Sequence, residues 1–211
     1  MTEISPSIEW SEDIEIYFKK IGEQGAGLSW LHKQSEARYA RFRNFIDLPV
    51  IVLGVLNGAT SVGSNSLFND PKIAGVAVGI VAIIGAILST ISSYFKWSAR
   101  AEAHRIAAIQ YGKMSRYLTV QLGLPRIERM TASDCLKYCK AEFDRLQEIS
   151  PLIPSEIVAM FQQRFKKYTV SVPSECNGVE SIKIHKESVL EIISPVSNRD
   201  DIRPVHTVSD P

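Results

Sequence analysis

The chain has 211 residues, with 24 lysines and arginines against 23 aspartates and glutamates, so its formal charge is only +1. Without a domain-wide basic excess there is no electrostatic footprint for nucleic acid, and none is expected as a partner. Cys135, Cys139 and Cys176 are odd in number and form no CxxC pair, which argues against both a disulfide framework and a zinc site and leaves buried or idle thiols.

Ile14, Tyr17, Phe18 and Ile21 recur at helical spacing after Ser11, a plausible cap, and predict a short amphipathic helix. Gly22, Gly25 and Gly27 then favour a break. A second helix is expected over 29–47, with Leu31, Tyr39, Phe42 and Ile46 as its apolar positions. Asp47 followed by Pro49 resembles a cap and a first-turn proline, so the next segment is expected to begin with a kink or a fresh helix start.

Two uncharged apolar runs follow, 48–68 and 73–95, separated only by Asn69, Asp70, Pro71 and Lys72. Crossing a hydrocarbon core of about 30 Å takes roughly 20 residues at about 1.5 Å each, so each run is long enough to span a bilayer. The alternative, a buried hairpin in a soluble protein, leaves too little other chain to wrap both helices. The runs begin too deep for a cleavable signal peptide, so residues 1–47 are expected to remain. Lys33, Arg38, Arg41 and Arg43 precede the first run and Lys96, Arg100 and Arg105 follow the second, whereas the loop carries only Lys72. This bias predicts an integral membrane protein with both termini in the cytosol.

No Gly or Pro occurs between Gly85 and Gly112, so the second span is expected to continue into the cytosol as one helix, ending near Gly123 and Pro125. Fifty residues from Ile73 correspond to roughly 75 Å. Trp97, Ala101, His104, Ala108, Tyr111, Ser115, Leu118 and Leu122 form a coiled-coil-like stripe expected to pair with the helix before the first span. His104 and Ser115 are its polar positions, candidates for setting register or oligomeric state, and His104 also for sensing pH. A structural, hydrogen-bonded role is the alternative for His104. His32 lies about 16 residues before the first span and His104 about 9 beyond the second, which predicts different depths and no shared metal site. Arg43 and Glu102 lie at more similar depths and are expected to pair across the helices.

Thr131 followed by Asp134 resembles a capping box, opening a helix with Leu136, Cys139, Phe143 and Leu146 on its apolar face. Pro151 and Pro154 end it and restart the chain. Ile157, Met160, Phe161, Phe165 and Tyr168 mark a last short helix. From about 170 onward scattered Ser, Asn, Asp and Pro predict a mostly disordered tail, whose one apolar patch is Ile182, Ile184, Val189, Leu190, Ile192 and Ile193. The expected organisation is cytosolic helices over 1–47, a transmembrane hairpin over 48–95, a cytosolic helical region over 96–169 and a tail over 170–211. The fold class is an all-α membrane protein, a two-helix transmembrane hairpin whose long helices extend into a cytosolic helical bundle.

Both runs are two-faced. Gly75, Gly79, Ala82, Ala86, Ser89 and Ser93 place small residues on one side of the second run, opposite Ile73, Ile80, Ile84, Ile87 and Ile91. In the first run Gly54, Gly58, Ser61 and Asn65 share a face with Asn57 close beside it. Small residues let neighbouring backbones approach in a bilayer, so Gly54, Gly58, Gly75, Gly79, Ala82 and Ala86 are candidates for helix packing. An unsatisfied Asn57 amide there costs several kcal/mol, so it needs a partner or water. Two arrangements meet that need. In one, the small faces pack within a single hairpin and Asn57 bonds to Ser89 or a backbone carbonyl. In the other, several hairpins assemble and Asn57, Ser61, Ser89 and Ser93 line a narrow water-filled path. Two helices alone enclose no lumen, so conduction requires a homo-oligomer or a partner.

No P-loop, GxSxG, HExxH or dinucleotide fingerprint occurs, so neither an enzyme nor a cofactor is expected. From Trp30 to Phe165 the arrangement resembles the SLATT superfamily of two-helix membrane proteins. The resemblance rests on Trp30-Leu31-His32, on Tyr39 and Phe42 before the first span, on the short loop, on Tyr94 and Phe95, on Ala101-Glu102-Ala103-His104, and on Tyr111. It implies a pore-forming effector that permeabilises membranes, coupled in many bacteria to nucleotide-signalling or sensor proteins. This chain carries no recognisable sensor or nuclease domain, so a trigger would bind the cytosolic helices or come from a partner protein. The expected function is an oligomeric membrane pore or channel-like effector. The alternative is a non-conducting anchor or scaffold that recruits partners through its cytosolic helices and tail.

Overall fold

A computed structural model of the chain describes residues 8–67 and 71–178, without the side chains of 63–67 and 71. The tail's apolar patch and Asn65 therefore lie outside what is described. The elements are α1 (Glu12–Leu67), α2 (Pro71–Phe95), α3 (Trp97–Gly123), a single 3-10 turn (Arg126–Glu128), α4 (Ala132–Ile149), α5 (Ser155–Phe165) and α6 (Ser174–Asn177). Among the described residues there is no strand. Two stretches are long and apolar enough to cross a membrane, one in α1 and one in α2, with mean hydropathies of 1.7 and 2.4. Their most apolar windows are 0% and 6% buried, whereas the core helix of a soluble protein would be wrapped.

The first correction concerns α1, which is one helix of 56 residues where a glycine break and a fresh start near Pro49 are expected. Each interior Gly costs about 1 kcal/mol of helix propensity, but here the glycines lie against packed neighbours, and at Gly27 a side chain would clash. A Cβ on Gly22 would lie 3.4 Å from Leu118 Cβ, one on Gly25 3.5 Å from the Tyr111 carbonyl, and one on Gly27 only 2.7 Å from Pro173 Cγ. Close packing against α3 and the 171–178 segment outweighs the propensity loss. Pro49 removes one backbone donor within the helix. Two contacts just before it tie the helix to its neighbours, Phe42 stacked on Trp97 and the Ser92 hydroxyl donating to Asp47 Oδ1 at 2.6 Å.

The second correction is the opposite case. The expected continuous helix from Ile73 to Gly123 is interrupted at Lys96, whose φ of 50° and ψ of 42° are left-handed, a conformation that costs a non-glycine residue roughly 1–2 kcal/mol. The hydrogen-bond ladder closes around it, Lys96 N–H donating to the Ser92 carbonyl at 3.1 Å and Arg100 N–H to the Lys96 carbonyl at 3.0 Å. Phe95 and Trp97 stack 5.0 Å apart across the break and Phe42 covers Trp97, so aromatic packing holds the strained residue. α3 then ends at Gly123, where Gly123 and Pro125 predict it.

The core lies in the polar half. Phe18, Leu28 and Leu31 of α1 meet Ala107, Tyr111, Met114 and Leu118 of α3, and α4 adds Cys135, Cys139 and Leu146. Ile157 and Phe161 of α5 close it, together with Cys176 of α6. All three cysteines are free thiols within this core. Thr131 caps α4 by accepting from Asp134 N–H at 3.2 Å and donates to the Asp134 carboxylate at 2.7 Å. Residues 171–178, expected to begin the disordered tail, instead run along α1. Ser171 N–H donates to Glu23, Gln24 donates to the Val172 carbonyl, and Gln162 to that of Cys176. Sequence periodicity misses this segment because backbone groups and Pro173, rather than an apolar stripe, make the contacts.

Candidate functional site: a two-flanked hairpin above a buried histidine pair

Burial along the two apolar stretches identifies the stripes by which they meet. In α1 these are Ile46, Val50, Leu53, Asn57 and Thr60; in α2, Ala74, Val78, Val81, Gly85, Leu88 and Ser92. Successive residues rotate by about 100° around a helix, which places Gly54, Gly58 and Ser61 about a quarter turn from the α1 stripe. Gly75, Gly79, Ala82, Ala86, Ser89 and Ser93 are displaced by the same angle in the same sense on α2. Because the helices run antiparallel, equal rotations bring both small stripes to one flank of the hairpin. Leu48, Val52 and Leu56, with Ile73, Ile80, Ile84 and Ile87, fall on the other.

The small flank is bare. Gly54, Gly58, Gly75 and Gly79 have no atom within 4 Å of an added Cβ, and Ser61, Ala82, Ala86, Ser89 and Ser93 are exposed. The arrangement in which the small faces pack within one hairpin is therefore overturned, since Val and Leu side chains close the hairpin. The Ser61 hydroxyl bonds back to the Asn57 carbonyl at 2.8 Å.

Asn57 lies on the closing stripe, turned toward α2 rather than onto the small flank. Its Oδ1 is buried and receives no hydrogen bond. The expected bond to Ser89 does not form because, with Asp47 level with Ser92, Ser89 stands about 10 Å from Asn57 along the helix axis and a quarter turn away. As a lumen-lining candidate Asn57 is thus separated from Ser61, Ser89 and Ser93.

Below the hairpin, α1 and α3 are tied by the Ser29 hydroxyl donating to the Ala108 carbonyl at 2.7 Å, and by His32 and His104. Their Nδ1 atoms are 2.9 Å apart and both rings are 1% exposed. Tyr111 stacks on His32 at 5.6 Å and Tyr39 on His104 at 5.4 Å, with the Arg100 guanidinium over Tyr39. This corrects the expectation of different depths. Asp47 lies level with Ser92, three residues short of the end of the second apolar run, and that shift brings the histidines within side-chain reach. The same register separates Arg43 from Glu102. Glu102 pairs with Arg105 at 2.7 Å and Arg43 bonds to Asn44. Among the described residues no cluster of three or more His, Cys, Asp or Glu forms around the pair.

A 2.9 Å contact between two Nδ1 atoms requires one ring to donate and the other to accept. Burial lowers the His32 pKa from 6.5 to about 4, with His104 pushing the same way, and burial alone lowers that of His104 to about 4. The pair is neutral near pH 7. Ser115 is half-buried against Gly25. The stripe bearing His104 and Ser115 is filled by α1 of the same chain, so it does not present those residues to a second subunit. No family model, curated protein or solved structure matches this chain.

Proposed function

We propose that the chain is a two-pass membrane protein, with both termini cytosolic, that assembles through the small flank of its hairpin into an oligomeric, channel-like pore of the SLATT type. One observation carries the reading: small and hydroxyl residues of both helices gather on a single flank, and nothing among the described residues covers them. In a bilayer, bulky Ile and Leu are well solvated by lipid tails, whereas a glycine-lined surface gains most from a neighbouring backbone. The α1–α3 seam of the bundle is filled within the chain, and the small flank of the hairpin offers a surface for association. Ser61 toward one end of the hairpin and Ser89 and Ser93 toward the other supply the hydroxyls that would meet water in an assembly.

Purified protein in sealed liposomes tests this. Ion leak is expected from wild type, Gly79→Leu is expected to abolish both assembly and leak, and Ser89→Leu to reduce leak while leaving assembly. Tight liposomes containing inserted oligomer would contradict conduction. That outcome would favour a membrane anchor, a reading supported by the inward position of Asn57, which removes the one mid-span amide from the small flank.

A further inference from the structure

The segment where α1 leaves the bundle and enters the apolar stretch carries a groove that the pore reading does not use. It has a volume of about 660 Å³ and is lined by Arg41, Phe42, Asn44, Phe45, Leu48 and Pro49. All six residues belong to α1, and along its axis Arg41 stands nearest the bundle, Phe42, Asn44 and Phe45 follow, and Leu48 and Pro49 open the apolar run. Arg41, Phe45 and Leu48 lie on the bulky flank, in line with Val52 and Leu56, so the groove continues the surface that lipid tails would cover. Phe45 is 76% exposed and Leu48 63%, which is costly in water and ordinary against acyl chains.

The charges distinguish this rim from the bundle. One turn below, Arg38 forms a two-pronged pair with Glu156, and Arg126 and Arg129 share Glu15. Among the described residues no carboxylate pairs with Arg41, Arg43, Lys96 or Arg100. Arg41 and Arg43 hydrogen-bond only within α1, to the Ala37 carbonyl and to Asn44. Asp47, the sole carboxylate between 37 and 49, lies on the other flank and accepts from Ser92. Tyr94 is 78% exposed and, with Phe95, places further aromatic surface at the same level, the pattern of a membrane–water interface.

We infer that the Arg41–Pro49 groove binds an anionic phospholipid of the adjoining leaflet, with Arg41 on its phosphate, Asn44 donating to its headgroup and an acyl chain lying along Phe45 and Leu48. This rests on the two-pass membrane reading. Charge complementarity and continuity with the lipid-facing flank select an anionic lipid over a peptide or a soluble phosphate, because the site joins an unpaired guanidinium to an apolar floor.

The test uses the full chain. Flotation with phosphatidylcholine vesicles establishes insertion first; failure there would overturn the membrane reading and this site with it. Inserted protein is then equilibrated with equimolar phosphatidylglycerol and phosphatidylcholine, and the retained lipids are counted by native mass spectrometry. Phosphatidylglycerol is expected to be preferred, with the preference falling about fivefold in Arg41→Gln, partly restored in Arg41→Lys and unchanged in Arg145→Gln. Equal retention of the two lipids in the inserted wild type, or a preference that survives Arg41→Gln, would overturn the site while leaving the hairpin reading intact. Disulfide dimers through Phe45→Cys in membranes would assign the groove to a second copy of the chain and equally overturn it.

Discussion

The bundle and the hairpin share one long helix, α1, yet they solve the packing problem in opposite ways. In the bundle, α1 and α3 meet through large apolar side chains, with glycines at their closest approach, and are then covered by α4, α5 and α6, leaving Phe18, Leu31, Tyr111 and Leu118 at 0–1% exposure. In the hairpin, α1 meets α2 along one stripe, Ala74 is the one buried hydrophobic residue among those described, and the remaining faces are bare. The glycines make the contrast sharpest. Gly22, Gly25 and Gly27 are small because something within the chain lies against them, whereas Gly54, Gly58, Gly75 and Gly79 are small with nothing against them. The first set completes a fold; the second set, among the described residues, faces open space.

The largest effect should come from emptying the bundle. Phe18→Ala removes a fully buried ring and is expected to lower stability by about 3–5 kcal/mol in thermal or denaturant unfolding. Val55→Ala, at a position 67% exposed, should leave unfolding of the bundle within about 0.5 kcal/mol of wild type.

Acid should separate the regions next. The folded-state pKa values of His32 and His104, about 4, lie below the usual 6.5, so the unfolded chain binds protons more readily. The pair's contribution is complete above about pH 6.5 and is lost as pH falls toward 4. Once both rings are protonated, two N–H groups face each other and the bond is gone. The expected loss is on the order of 2 kcal/mol, and His32→Gln with His104→Gln should flatten that part of the stability profile. A melting temperature that does not change between pH 7 and 4.5 would contradict this account of the pair.

A matched glycine comparison is smaller but more direct. Gly27→Ala drives a methyl into Pro173 and is expected to cost about 1–3 kcal/mol. Gly79→Ala has open space and should leave the fold of the single chain unaffected. Smallest of all, Asn57→Leu removes a buried acceptor that receives no bond, and is expected to stabilise the hairpin by about 1 kcal/mol without altering leak. A loss of leak in that variant would return Asn57 to the lumen.

These regions were also unequally legible in the sequence. Signals confined to a few neighbouring residues were readable: the Thr131 cap, the stops at Gly123, Pro151 and Pro154, and the apolar runs themselves. The two-sided texture of the runs was readable too, because helical periodicity sorts Gly79 from Ile80 without a partner. What was not readable depends on partners distant in the chain. The Gly22–Gly27 stretch reads as a break until α3 and Pro173 lie against it, and Lys96 gives no local sign of a left-handed turn because stacking by Phe42, Phe95 and Trp97 is what holds it. His32 and His104 were separated by counting from the ends of the apolar runs, and that count failed because the Asp47–Ser92 contact, not hydropathy, sets the register. The inward turn of Asn57 was missed for a related reason, since helical spacing places it beside the small stripe but only the closing stripe decides which side faces α2.

The central claim is that chains associate through the small flank of the hairpin while the bundle remains closed within each chain. Single added cysteines in the full-length protein, oxidised in native membranes, test it most directly, because Cys135, Cys139 and Cys176 are buried in the core. Ser89→Cys, on the small flank, is expected to give disulfide-linked dimers, and Ile84→Cys, on the bulky flank about 7.5 Å away along the axis, is expected to remain monomeric. Crosslinking through Ile84→Cys and not through Ser89→Cys, or through neither, would contradict the account.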